Sequence, residues 1–305
     1  MGSGGAGGGS GGAGGAGGSG GSGGGLPPPT NGIQILTPSF TLQPGQELFK
    51  CFYTSLPATV DVAAVKFQST MAPGSHHFIL YATQNAIYPD NTFRDCGGGL
   101  GSSQNDPPVW VYASQDPTGE LDMPPGVAMP LKAHQPLIFN MHYINTGSDP
   151  KVVQVVQNIE YATGSYQKAG AFVTFNTMIS IPPGGTQKVE GHCTVPQGVN
   201  FFLMSTHSHK RTLTAQANRY LNGQIGDSLV LTQDWAHATV SKWYSPFMNL
   251  APGEEIYYSC NYRNDTNQTI TVGESAEVNE MCMAVGYYFP ATANTFCLNS
   301  TSFMR

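Results

Sequence analysis

Hydrophobic and polar positions alternate in short runs through most of the 305-residue chain, and no segment sustains a 3.6-residue period. Runs such as Glu47-Leu48-Phe49-Lys50-Cys51-Phe52-Tyr53 and Pro136-Leu137-Ile138-Phe139-Asn140-Met141-His142-Tyr143 are bounded by Pro, Gly and Asn, as strands closed by turns are. The same pattern predicts strands over 33–36, 40–42, 60–67, 76–81, 109–112 and 152–156, with 84–130 otherwise read as long loops. It restarts at Ala171-Phe172-Val173-Thr174-Phe175 and recurs at 186–193, 201–204, 212–215, 228–231, 255–262, 269–272 and 281–289. The expectation is an all-β chain of two sandwiches, 33–168 and 169–305, behind a disordered Gly/Ser/Ala tail and Pro linker at 1–32.

Composition adds a compartment and removes one class of partner. Charged residues make up 10% of the chain, the net charge is -6, and the 13 Lys and Arg form no cluster, so a surface that tracks nucleic-acid phosphates is not expected. Cys51 and Cys96 fall in the first half, and Cys193, Cys260, Cys282 and Cys297 in the second. An even number in each half without Cys-x-x-Cys spacing points to disulfides, not to a zinc ribbon or a thioredoxin-like motif. Disulfides persist in oxidising surroundings, so a secreted, periplasmic or outer-surface location is expected, with the export signal absent from this chain. No run of 18 apolar residues marks a membrane span. The glycine-rich tail suits a lipoprotein tether slightly better than a cloning linker.

Candidate chemistry is concentrated in the histidines. Side chains two apart in a strand share a face, so His207 and His209 in Met204-Ser205-Thr206-His207-Ser208-His209 present two imidazoles to one point. With the thioether of Met281 they form a soft three-coordinate set with an open position, which suits copper. His76, His77 and His142 form a second, all-imidazole set, also suited to copper. Adjacent strand residues face opposite sides. His76 and His77 can therefore share a metal only if the strand begins or bulges there, as Pro73-Gly74-Ser75 permits.

Taken together, Ser75-His76-His77-Phe78-Ile79-Leu80-Tyr81, Met141-His142-Tyr143, Thr206-His207-Ser208-His209 and Glu280-Met281-Cys282, followed by Tyr287-Tyr288-Phe289-Pro290, resemble the copper type II ascorbate-dependent monooxygenases over roughly residues 40 to 300. The resemblance implies two tandem jelly-roll domains, each holding one copper across a solvent-filled cleft. His76, His77 and His142 would bind the electron-transfer copper. His207, His209 and Met281 would bind the oxygen-activating copper and so carry catalysis. Ascorbate would supply two electrons, and one atom of O2 would be inserted into a C–H bond of a small organic substrate. The implied disulfides are Cys51–Cys96, Cys193–Cys297 and Cys260–Cys282.

The departures lie in the pocket. Where peptide-processing members carry an arginine that grips the substrate carboxylate, this chain has Ser205, and Met283 and Val285 stand where those members have an asparagine and a tyrosine. A carboxylate-headed peptide is therefore not the expected substrate, because a buried carboxylate needs a charged or multiply donating partner. Glu280 is either an orienting group for the imidazoles or a solvated strand-end charge. His134, His192 and His237 match no ligand position, and the tyrosines at 287 and 288 read as sheet packing. Asn264, Asn267 and Asn299 begin N-glycosylation sequons. The alternative function is a copper-binding protein without catalysis.

Overall fold

The computed structural model describes residues 25–97, 100 and 106–304, and among them every regular element is a β-strand. The expected tail lies, up to residue 24, outside the described residues. The Pro segment that follows is docked: Gln34 donates to the Leu26 carbonyl at 2.7 Å and Asn158 to the Pro27 carbonyl at 2.7 Å.

Among the described residues no strand pairing crosses residue 168. In the N-terminal half one sheet runs Gly32–Leu36, Val155–Ala162, Val62–Met71, Val127–Leu131, Gln167–Lys168, with Thr118–Asp122 paired to Val62–Met71. The other runs Thr92–Asp95, Glu47–Ser55, Pro136–Ile144, Ser75–Ala82, Val109–Ser114. In the C-terminal half a seven-stranded sheet is built around Asn200–Ser208, Cys282–Phe289 and Gly170–Phe175, and a four-stranded sheet runs Thr186–Cys193, Glu255–Arg263, Thr212–Leu221, Gln224–Thr232.

Three of these strands lie where loops were expected: Thr92–Asp95, Thr118–Asp122 and Val127–Leu131. Their Gly, Asp and Pro residues hide them from a propensity reading. What makes them strands is pairing against the long Glu47–Ser55 and Val62–Met71 strands.

Two cores explain why the halves meet. Along Cys282–Phe289 every residue is buried, as in a strand covered on both faces. Met283, Val285 and Tyr287 point into one core together with Trp110, Val111, Leu203 and Val173, which joins the two halves in a continuous apolar seam. Ala284 and Tyr288 point the other way, into a second core shared with Val189, Ala215, Ala217 and Tyr258 of the four-stranded sheet. The seam is also bonded: Trp110 Nε1 donates to Tyr287 Oη at 3.0 Å, and that hydroxyl donates to the Val111 carbonyl at 3.2 Å.

Disulfides join Cys51 to Cys96, Cys193 to Cys297 and Cys260 to Cys282, closing loops of 45, 104 and 22 residues. Loop entropy alone makes each worth about 3 to 5 kcal/mol. They are the pairs that the family resemblance implied. Of the sequon asparagines, Asn264 is buried and its amide donates to the carbonyls of Ile181, Pro182 and Gln268, so it braces a loop and offers no free side chain.

Candidate metal centre

The first cluster depends on an irregularity. The Pro136–Ile144 strand pairs with Ser75–Ala82 so that His142 lies opposite His77 and Tyr143 opposite Ser75, leaving His76 as an extra, bulged residue. Gly74, at φ +101°, turns the chain into this bulge. The bulge brings both adjacent imidazoles to one side: the Nδ1 atoms of His76 and His77 are 2.9 Å apart, and the His142 ring centroid lies 5.0 Å from that of His76 and 5.1 Å from that of His77. One ring nitrogen from each of the three lies within 4.8 Å of the others.

His142 is wholly buried and stacks on Phe49 at 4.2 Å. Its Nε2 is 2.8 Å from Glu47 Oε1. Burial works to raise the Glu47 pKa, but hydrogen bonds from His142, Ser275 and Ala276 outweigh it and hold the carboxyl below its usual range. An ionised carboxylate only accepts, so His142 carries a proton on Nε2, and its Nδ1 is left without a hydrogen-bond partner.

The second cluster is gathered from separate segments. His207 lies within the Asn200–Ser208 strand, and His209 begins the tight turn closed by Thr212 N donating to the His209 carbonyl at 3.0 Å. Their ring centroids are 5.3 Å apart. His209 Nδ1 meets the Asn279 carbonyl at 3.3 Å and His207 Nδ1 meets Gln115 Oε1 at 2.9 Å; both Nε2 atoms are buried and unpartnered.

Glu280 is no solvated strand-end charge. It is fully buried and clamps the turn, accepting from His209 N at 3.0 Å, Arg211 N at 2.7 Å and Thr212 Oγ1 at 3.3 Å. Burial pushes its pKa up to about 7 against the pull of those bonds and of the Arg211 charge. Met281 follows directly. Its carbonyl accepts from Tyr262 Oη at 2.9 Å, the Cys260–Cys282 bridge ties down the next residue, and its side chain packs on the seam.

The solvent-filled cleft that the resemblance implied is closed in this structure. The rings of His77 and His207 are 4.9 Å apart and those of His76 and His209 are 6.5 Å apart, so five imidazoles form one patch. The apolar seam and bonds between the halves hold it shut: Gln115 to His207 and to the Trp235 carbonyl, and Glu47 to Ser275 Oγ and Ala276 N. Burial, then repulsion from neighbouring imidazoles, drives the His76 pKa to about 3 and those of His77 and His207 well below the usual value. Burial also lowers His209 to about 4.

The rings of His76, His77, His207 and His209 are therefore neutral, and the Nε2 atoms of His76, His207 and His209 and Nδ1 of His142 have no hydrogen-bond partner. A buried polar atom left unpaired costs about 1 to 3 kcal/mol. A metal ion that accepts the lone pairs removes that cost, and an all-imidazole set beside a thioether fits copper.

The expected pocket residues line two neighbouring cavities. A cavity of about 370 Å³ beside the patch is walled by His77, His207, Met281, Met283, Phe49 and Phe296 among others. A second, of about 190 Å³, holds Ser205 and Val285 with Gln115 and Tyr287. Ser205 pairs with Val285 and His207 with Met283 two residues along the same ladder; His77, Ile79, Trp110 and His207 stand in the walls of both cavities. Glu47, Gln115 and Trp235 carried no signal in the sequence, because each reaches the histidines only through tertiary packing.

Residues 167–304 match the family model "Copper type II ascorbate-dependent monooxygenase, C-terminal domain". The chain is 23% identical over 297 residues to the human "Putative DBH-like monooxygenase protein 2", covering 85% of this chain and 57% of that protein. It is 27% identical over 137 residues to the Caenorhabditis briggsae "Tyramine beta-hydroxylase" and 24% identical over 144 residues to the human "Dopamine beta-hydroxylase". Those matches cover 40% and 41% of this chain and 23% and 22% of the relatives, so the chain spans a little over half of the first relative and under a quarter of the other two. Among solved structures, the PNGase F glycosylasparaginase of Flavobacterium meningosepticum aligns over 90% of this chain and 99% of its own at a TM-score of 0.39 and 9% identity, too slight a likeness to argue from.

Proposed function

We infer that this chain, a relative of the copper type II ascorbate-dependent monooxygenases by its match over 167–304 and its motifs, is itself a monooxygenase that hydroxylates a C–H bond of an organic substrate with O2 and ascorbate. The observation that carries the reading is the patch of buried imidazoles in which His76, His142, His207 and His209 each leave one ring nitrogen without a hydrogen-bond partner, with His77 between them. His76, His77 and His142 would hold one copper; His207, His209 and Met281 would hold a second. Copper bound there supplies one-electron redox chemistry and a site for dioxygen reduction.

The protein's own contribution is orientation and exclusion of water. Glu47 and the Asn279 carbonyl each take the proton-bearing nitrogen of an imidazole, leaving the other nitrogen's lone pair free. The seam residues Trp110, Val285 and Tyr287 keep solvent from the patch. Among the described residues the larger cavity is lined by no Lys or Arg, and Phe49, Trp110, Met283 and Phe296 form much of its wall. It suits an apolar body better than a carboxylate head. Strand pairing that stays on either side of residue 168 supports two domains, 33–168 and 169–305, and we read each as a jelly roll. The disulfides favour work in an oxidising, extracytoplasmic compartment.

The test is single-turnover oxidation of copper-loaded, ascorbate-reduced protein under 18O2 with a panel of uncharged aromatic and aliphatic compounds. Substrate-dependent copper oxidation with one 18O atom in the product supports the reading. Reoxidation that yields no labelled product with any of them, at full copper loading, leaves a copper store or carrier instead.

A further inference from the structure

Gln115 belongs to neither ligand set and sits in the turn Ser114-Gln115-Asp116-Pro117 of the N-terminal half, yet its side chain ends in the C-terminal half. Its amide makes two contacts there. Nε2 donates to the Trp235 carbonyl, and Oε1 faces His207 Nδ1 at 2.9 Å.

The chemistry of these atoms leaves one arrangement. A backbone carbonyl can only accept, so the NH2 end of the amide must face Trp235; flipping it would set two acceptors against each other. The amide oxygen then faces His207, and an oxygen acceptor requires a proton on Nδ1. His207 is thereby held as the Nδ1–H tautomer, with its lone pair on the buried, unpartnered Nε2. The Trp235 ring in turn lies over His76, with centroids 5.4 Å apart and planes 32° from parallel. One side chain thus touches His207 directly and reaches His76 through the loop that carries Trp235.

We propose that Gln115 is a positioning residue supplied across the seam: only when the two halves are closed does it fix His207 in the tautomer and orientation that leave Nε2 free for a metal. This rests on reading His207 as a ligand, but the tautomer itself is a property of the chain without metal. The histidine of the C-terminal half is therefore completed by the N-terminal half, and opening the seam releases it. By contrast, His209 and His142 take their acceptors, Asn279 O and Glu47, from their own halves.

The experiment is 15N NMR of the imidazole nitrogens in the full-length, metal-free, disulfide-bonded chain at pH 8, with His207 assigned by loss of its signals in His207→Asn. The expected wild-type His207 pattern is Nδ1–H. Gln115→Leu removes the acceptor and should return His207 largely to the Nε2–H form that unconstrained imidazoles favour, with His209 unchanged. Gln115→Glu keeps an acceptor for Nδ1–H but cannot donate to Trp235, so it should preserve the His207 tautomer. Copper retention should fall by roughly 10- to 100-fold in affinity at the His207 centre in Gln115→Leu. An Nδ1–H pattern that persists in Gln115→Leu overturns the proposal, as does a Gln115→Glu chain whose His207 behaves like that of Gln115→Leu. Failure of copper to bind His207 while the tautomer responds as expected would sink the ligand reading and leave the tautomer assignment standing.

Discussion

The two histidine clusters meet ring to ring, yet they are built in opposite ways. His76, His77 and His142 come from two adjacent strands of one sheet, and a single bulge after Gly74 accounts for their convergence. His207, His209 and Met281 come from a strand, the turn after it and a residue between two further strands, and the group depends on a buried Glu280, a disulfide and Gln115 from the other half. A local defect in a ladder is enough to gather three side chains. Holding His207, His209 and the Met281 backbone, which come from separate segments, takes a clamp. The C-terminal cluster should therefore be the more fragile of the two, and the easier to alter by changes away from the ligands.

Glu280→Ala should expose that fragility most. It removes the acceptor of His209 N, Arg211 N and Thr212 Oγ1 and leaves those buried donors unpaired, at a cost of about 3 kcal/mol. A drop of that size in urea unfolding free energy is expected, with copper lost from the C-terminal cluster and kept by the other. Equal loss from both clusters would erase the distinction.

Acidification should act next, and on both clusters. The folded-state pKa values of His76, His77, His207 and His209 lie below the ordinary value of 6.5, so between that pH and about 4 the unfolded chain binds more protons. Their contribution to stability is full above pH 6.5 and is lost as pH falls. Glu280, raised to about 7, works in the opposite sense from pH 4.5 upward, but it is one group against four. For His209 alone the loss by pH 5 is about 2 kcal/mol. Unfolding free energies of the metal-free chain at pH 7 and pH 5 check the sign; equal values would contradict it.

Gly74→Ala should be the mildest change and should fall on the N-terminal cluster. A Cβ there meets Leu42, Lys151 and Val153 atoms at 3.3 Å, and φ +101° disfavours an L side chain, a strain of about 1 to 3 kcal/mol. Copper affinity should weaken at His76 and His77 while the His207 centre is unaffected, which separate titrations of the two centres would reveal.

The same contrast explains what the sequence disclosed. His-x-His, the adjacent pair and the Met-Cys step are short-range patterns, and the bulge that His76 and His77 needed was already permitted by Pro73-Gly74-Ser75. The apolar run from Cys282 to Phe289 marked a buried strand without saying that its faces serve different cores. Gln115 and Glu47 were invisible because their partners lie 92 and 95 residues away across packed sheets. Ser205, Met283 and Val285 were assigned one pocket from the family positions they occupy; the ladder sets them on one face, with Ser205 and Val285 in the wall of the smaller cavity and Met283 in that of the larger. Strands such as Thr118–Asp122 were lost to Gly and Asp that a neighbouring strand tolerates at an edge.

The central claim is that the patch is two separate centres with the ligands named, and copper content per chain tests it most directly. Purified, disulfide-bonded protein would be loaded and dialysed alongside His142→Ala and Met281→Ala. Two coppers in the wild type and about one in each variant is the predicted result. One copper in the wild type that either substitution abolishes would mean a single shared site, and near-zero copper in a correctly folded chain would contradict the account altogether.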